Sequence, residues 1–281
     1  MSANHKSKKL MRITYRLLIA IGLLAIAYPF VSQIYYQYVT KQETNQFDKD
    51  AAKLTPQDIK ARIELAKAYN STLTPAKIGD PFTSKEKEGI AEYARMLQVA
   101  EKIGYITIPK INQKIPIRAG TSETVLQDGA GHLEGTSLPV GGKSTHTVIT
   151  AHRGLPSARL FTDLDKLKVG DVFYITNIKE TLAYKVNQIL TVEPNNFNPI
   201  LVSPGHDYAT LLTCTPYMIN SHRLLVRGER IPLPKSQAKK KTQIHFFQQY
   251  RWFIILVLIL LIMIISYLVF YLVCKKKVSE V

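Results

Sequence analysis

The run from Trp252 to Cys274 carries no charged residue. At about 1.5 Å per helical residue it reaches roughly 35 Å, enough to cross a hydrocarbon core about 30 Å thick. Such a segment reads as a transmembrane helix, and it limits what the rest of the chain can be. Residues 17–40 are also uncharged, apolar through Phe30 and then mixed with Gln33, Tyr35 and Tyr36, and they follow a basic cap. This stretch reads as a signal anchor, with a signal peptide as the alternative because Ala25-Ile26-Ala27 is a small-x-small site.

The charge distribution supports the same picture. Of the net +16, the tail before residue 17 carries +5 and residues 235–281 carry +7, leaving +4 for everything between. Basic residues flanking apolar segments are a membrane pattern, and they argue against nucleic-acid binding. With the basic N-terminus inside, two spans return Lys275-Lys276-Lys277 to the inside and place residues 41–250 outside. The two cysteines, Cys214 and Cys274, then lie on opposite sides of the membrane and cannot pair.

An apolar fraction of 46% gives the outer region material for a core. Residues 41–70 read as helical and solvent-exposed, with Thr55 as N-cap, Pro56 at the first helical position, and Ile59, Ile63 and Ala66 spaced to dock on a neighbour. A linker marked by Pro75, Gly79 and Pro81 precedes a second helix expected from about Ser84 to Ala100. From Gly104 the pattern changes to short β-rich runs such as "YITIPKI", "HTVITAH", "LAYKVNQILTV", "YATLLTC" and "RLLVRGERI". Seven or eight such runs point to an all-β closed barrel with short helical insertions. The expected organisation is a basic tail 1–16, an N-terminal span 17–40, helices 41–100, a barrel 101–234, a basic linker 235–251, a span 252–274 and a tail 275–281.

Within the barrel, Cys214 ends a Thr/Leu-rich strand and Arg223 lies nine residues later. If residues 208–214 and 223–229 pair antiparallel with Cys214 opposite Arg223, both side chains leave one face, and Leu224 and Val226 point into the core. A cysteine nucleophile reacts as thiolate and needs a neighbouring base or cation. His152 ends a β-branched strand at a loop, a natural place for a catalytic side chain, with His222 as a competitor. His132 reads as a structural turn histidine. Each residue also has an ordinary reading, Cys214 as a small buried hydrophobe, His152 as a hydrogen-bonded structural group and Arg223 as a surface charge.

"TLLTCTP" followed by "SHRLLVRGER" resembles the active-site signature of sortases, the Gram-positive cell-surface transpeptidases. "GAGHLEGTSLPVGG", "TAHRGLPSARLFTDLDKLKVGD" and "GYITIPKI" resemble the class C, pilus-assembling branch. The similarity runs from about Ile59 to Arg230. The resemblance implies a sortase β-barrel, Cys214 as nucleophile, His152 as its partner and Arg223 as the group that stabilises the acyl-transfer intermediate. It also implies a substrate of the Leu-Pro-x-Thr-Gly type, cleaved between Thr and Gly and joined to a lysine amine of another pilin. "IGDPF" resembles the class C lid, with Asp80 approaching the arginine, Pro81 between, and Phe82, where many members have tryptophan, covering the cysteine. Apart from the family, Asp80-Pro81 is a plain helix start.

The resemblance implies no metal and no organic cofactor, pilin subunits as partners, and a plasma-membrane location with the catalytic domain extracytoplasmic. Two alternatives stay open. One is another cell-envelope Cys-His transpeptidase or peptidase, although peptidoglycan-linking transpeptidases typically place the arginine two residues after the cysteine. The other is a non-catalytic membrane-anchored scaffold in which Cys214 is merely packed.

Overall fold

A computed structural model describes residues 2–73, 96–99 and 101–234. The expected lid Asp80-Pro81-Phe82, the linker 235–251, the span 252–274 and the final tail lie outside the described residues.

Eight strands close into a barrel in the order β1-β2-β3-β4-β7-β8-β6-β5. They are β1 (Lys102–Ile108), β2 (Gln113–Ala119), β3 (Ala130–His132), β4 (Thr145–Thr150), β5 (Val172–Thr176), β6 (Thr181–Val192), β7 (Asp207–Thr215) and β8 (His222–Ile231). The β2–β3 and β4–β7 pairs are parallel and the remaining neighbours antiparallel. Closure leaves no unpaired edge on which another chain could add a strand.

Alternation of apolar residues fills the interior. Ile106, Ile115, Ile117, Ile149, Phe173, Ile175, Leu211 and Val226 are fully buried there, each worth about 1.5–3 kcal/mol of apolar transfer. Phe173 stacks on Tyr184 with ring centroids 5.7 Å apart, and the pair occupies the space over Gly228. A Cβ at Gly228 would lie 2.7 Å from the Phe173 ring, so this position of β8 admits no side chain without displacing the stack.

Three helices complete the described fold: α1 (Ser2–Ala51), α2 (Pro56–Ser71) and the short α3 (Glu123–Asp128). The boundary expected at residue 40 is not a structural one, because α1 runs unbroken through it despite Pro29. Its stretch from Leu17 is long and apolar enough to cross a membrane, while its last turns dock on the barrel. Thr40, Thr44 and Phe47 are buried, Phe47 meets Tyr105 edge-on at 6.0 Å, and Glu43 receives Arg118 at 3.0 Å and Lys102 at 3.5 Å. Residues 41–70 are largely solvent-exposed as expected, with Thr44, Phe47, Ile63 and Ala66 buried on one narrow face of each helix.

The start of α2 is as expected, with Thr55 and Asp58 forming a reciprocal capping box ahead of Pro56. Ile63 and Ala66 are buried, and Asn70 makes two hydrogen bonds to the backbone of Leu138, accepting from its N–H at 2.7 Å and donating to its C=O at 3.2 Å. Of the second helix expected from about Ser84 to Ala100, residues 84–95 and Ala100 lie outside the described residues. Met96 and Leu97 form a 3-10 turn and Val99 bridges Lys102, so the chain is already turning into β1.

Candidate active site

Strands β4, β7 and β8 lie side by side and bring three separate parts of the chain to one place. On β7 and β8, Cys214 stands opposite Arg223. On the other side of β7, Thr150 of β4 is level with Leu212. The parallel alignment continues past the strand end, since Ala151 N–H donates to Leu212 O at 3.2 Å and Thr213 Oγ1 donates to Ala151 O at 2.8 Å. Two residues beyond Thr150, His152 is thereby carried alongside Cys214, two residues beyond Leu212.

Strand parity decides the face. Leu211, Leu224 and Val226 belong to the interior cluster, whereas Leu212 and Leu225 belong to a separate outer cluster with Leu133, Val148 and Ile200, bordered by Leu190, Val192 and Phe197. Cys214 and Arg223 follow the parity of the outer cluster. Cys214 is a thiol rather than half of a disulfide, only 7% exposed, and it belongs to neither apolar cluster. It is covered, but it is not part of the barrel filling.

Arg223 is 4% exposed and is aimed by backbone acceptors, its Nη1 donating to Asn220 O at 3.0 Å and His222 O at 3.1 Å. A guanidinium held in this way keeps its charge and a fixed set of donors. His152 is half-buried, with Nε2 3.6 Å from Glu123 Oε1 at the start of α3, and its carbonyl accepts from Phe161 N–H at 3.1 Å.

Two contributors to this geometry were not anticipated from the sequence. Arg153 donates to Thr215 Oγ1 at 2.5 Å and to Asp165 at 2.6 Å, clamping the residue after His152 to the residue after Cys214. Its position beside His152 in "AHRGLPSA" was the available signal. Glu123 had none, being far from His152 in sequence.

The remaining histidines sort cleanly. His132 is fully buried, with Nε2 2.8 Å from Ser137 O, and desolvation pushes its pKa down to about 4. His146 is buried between Leu201 O at 2.9 Å and Thr210 Oγ1 at 2.7 Å and is likewise pushed down to about 4, mainly by desolvation. His206 pairs with Glu229 at 2.9 Å. His222, the competitor to His152, is level with Thr215 rather than Cys214 and reaches Glu193 at 3.2 Å. Among the described residues no group of three or more His, Cys, Asp or Glu is placed to hold a metal ion.

Comparison with known proteins places the fold in a family. Residues 106–231 match the sortase domain. The pilus-related sortase C of Group B Streptococcus is 63% identical, with a TM-score of 0.65 over 67% of this chain and 97% of that one. Streptococcus pneumoniae sortase C is 59% identical, with a TM-score of 0.64 over 68% of this chain and 97% of that one. Sortase A of Bacillus anthracis is 28% identical over 156 residues, 55% of this chain and 71% of that protein. This chain belongs to the sortase family, whose members are cysteine transpeptidases. Within the family it falls in the class C branch, with the streptococcal enzymes just described.

Proposed function

We propose that this transpeptidase cuts a Leu-Pro-x-Thr-Gly-like sorting signal of a pilin between Thr and Gly and joins the acyl group to a lysine amine of another pilin, polymerising the pilus. The observation that carries the assignment of roles is the shared register of β4, β7 and β8. It supports Cys214 as nucleophile, His152 as proton carrier and Arg223 as oxyanion donor. The identity with pilus-related sortases supports a pilin substrate.

In the first step the Cys214 thiolate attacks the Thr carbonyl carbon, and the tetrahedral oxyanion faces the Arg223 guanidinium. Donors fixed before the reaction stabilise developing charge without reorganising. The C–N bond to Gly then breaks, and the leaving amine takes a proton from the His152 imidazolium. The product is a thioester on Cys214, with His152 neutral. In the second step the incoming lysine amine loses a proton to His152 as it attacks the thioester. The C–S bond breaks, the isopeptide forms, and Cys214 leaves as thiolate beside a recharged imidazolium. A segment carrying Asp80, Pro81 and Phe82 covers this site between turnovers, limiting loss of the thioester to water.

We read the apolar helix from residue 17, expected from sequence to span through residue 40, as leaving the membrane near Ser32, where α1 already bonds the barrel, and residues 252–274 as a second span, with tails 1–16 and 275–281 on the cytoplasmic side. The N-terminal helices and lid (41–100), the barrel (101–234) and the linker (235–251) lie outside the Gram-positive plasma membrane. The experiment is incubation of the full chain with a panel of sorting-signal peptides followed by intact mass spectrometry. The expected result is a thioester adduct on Cys214 that is absent from Cys214→Ala and resolves onto an added amine. A stable enzyme that forms no adduct with any signal would overturn the reading.

A further inference from the structure

The loop joining β7 to β8 ends in an exposed apolar tip. Tyr217, Met218 and Ile219 are 53%, 82% and 71% exposed. Single exposed apolar residues are ordinary, but three in succession on an ordered turn call for an occupant. The turn is ordered because Ile219 N–H and Asn220 N–H both donate to Pro216 O, at 3.1 and 2.9 Å, while Asn220 O accepts from Arg223. Met218 and Asn220 hold positive φ of 66° and 59°, a conformation uncommon outside glycine, so the tip keeps its presentation at a local cost.

The neighbours of this loop identify what it faces. A Cβ placed on Gly154 would lie 3.6 Å from the Tyr217 ring, so Tyr217 rests on the segment just after His152. Two residues further along that segment, Pro156 O accepts from Ser32 Oγ of α1 at 3.2 Å. At no more than about 3.6 Å per residue of chain, Tyr217 lies within roughly 15 Å of Ser32. Ser32 sits in a band of tyrosines on α1, in which Tyr28, Tyr35 and Tyr38 are 58%, 67% and 61% exposed. That band directly follows the exposed apolar stretch Leu17–Ala27. Tyrosines concentrated at one end of an apolar helix mark the level where hydrocarbon meets headgroups.

We propose that Tyr217, Met218 and Ile219 insert into the interfacial layer of the bilayer that α1 crosses, so that the Cys214 end of the barrel rests on the membrane. The inference rests on the reading of α1 as a span. The tip is continuous, through Gly154 and Pro156, with the helix at its interfacial band. Its make-up, a tyrosine followed by two flexible or branched apolar side chains, suits a layer that is wet on one side and apolar on the other. A sorting signal still tethered by an apolar tail would then reach Cys214 without leaving the membrane surface.

The test uses the full chain in phospholipid vesicles. Trp252, the one tryptophan, is changed to Phe, and a reporter is introduced as Met218→Trp or, separately, Leu24→Trp. Lipids bearing a quencher on the upper acyl carbons are expected to remove roughly half of the Met218→Trp emission, as for an interfacial group. Lipids quenching near the bilayer centre are expected to do the same to Leu24→Trp. Quenching of Leu24→Trp with none of Met218→Trp overturns the proposal and leaves the span intact. Quenching of neither overturns the span reading and the proposal together. A Met218→Trp emission that ignores lipid and changes only on adding a sorting-signal peptide also overturns it, reassigning the tip to substrate contact.

Discussion

Arg223 is the side chain whose geometry is hardest to replace. Its Nη1 is committed to two backbone carbonyls, so the remaining donors of the planar fork are fixed in direction. Lysine keeps the charge but offers a single ammonium on a flexible stem. Arg223→Lys is expected to lower kcat/KM by about 10²-fold in a peptide transpeptidation assay, with the fold unchanged by circular dichroism. His132 and His146 make a different prediction. Both are buried and neutral, with pKa values pushed from 6.5 down to about 4. The unfolded chain therefore takes up protons that the folded chain refuses as pH falls below 6.5. Stability from this source is complete above about pH 6.5 and is lost progressively towards pH 4, by at most about 3 kcal/mol for each histidine. Thermal melts across that range are expected to show a falling Tm, with a shallower fall in His146→Gln.

Asn70 is the link between α2 and the loop after β3. It supplies both a donor and an acceptor to the Leu138 backbone, so its loss strands two polar groups. Asn70→Ala is expected to cost about 1–3 kcal/mol, read as a lower urea midpoint with unchanged slope. The proposed lid is tested in the same region of sequence. Replacing Asp80 and Phe82 together by alanine is expected to raise the rate of Cys214 alkylation several-fold by mass spectrometry, and unchanged labelling would remove the lid from the mechanism. The pairing of residues 208–214 with 223–229 was legible as two strands, but the register that places Cys214 across from Arg223 was only one that the sequence allowed, because β7 is buried on both faces and carries no clean alternation to select it. The extent of α1 was not legible. Polar residues after Phe30 look like a helix leaving its apolar stretch, yet Thr40, Thr44 and Phe47 lie on a face that the barrel covers. At the described end of the expected second helix, Met96 and Leu97 form a 3-10 turn and Val99 bridges Lys102 three residues on, a local turn into β1 that helical spacing did not announce. Glu123 beside His152 is a product of tertiary folding, with no local trace.

The barrel and the later part of α1 form one packed structure. The described contacts between α1 and the barrel begin at Ser32 and end near Asp48, with Tyr36 donating to Asp128 O at 3.2 Å and Phe47 buried on β1. Truncation just before residue 32 is therefore expected to leave the Tm nearly unchanged. Truncation to residue 55 removes Phe47 and the Glu43 ion pairs, for a loss of about 3–5 kcal/mol and a Tm lower by roughly 10 °C in differential scanning calorimetry.

The parallel pairing of β4 with β7 also governs when the enzyme becomes reactive. The imidazole and the sulfur ride on strands that are not consecutive, and β5, β6 and their connections must be laid down before the two can align. On the roles proposed above, a chain whose β4 and β7 have not yet paired carries an ordinary thiol with no imidazole beside it, so reactivity follows the closing of that seam.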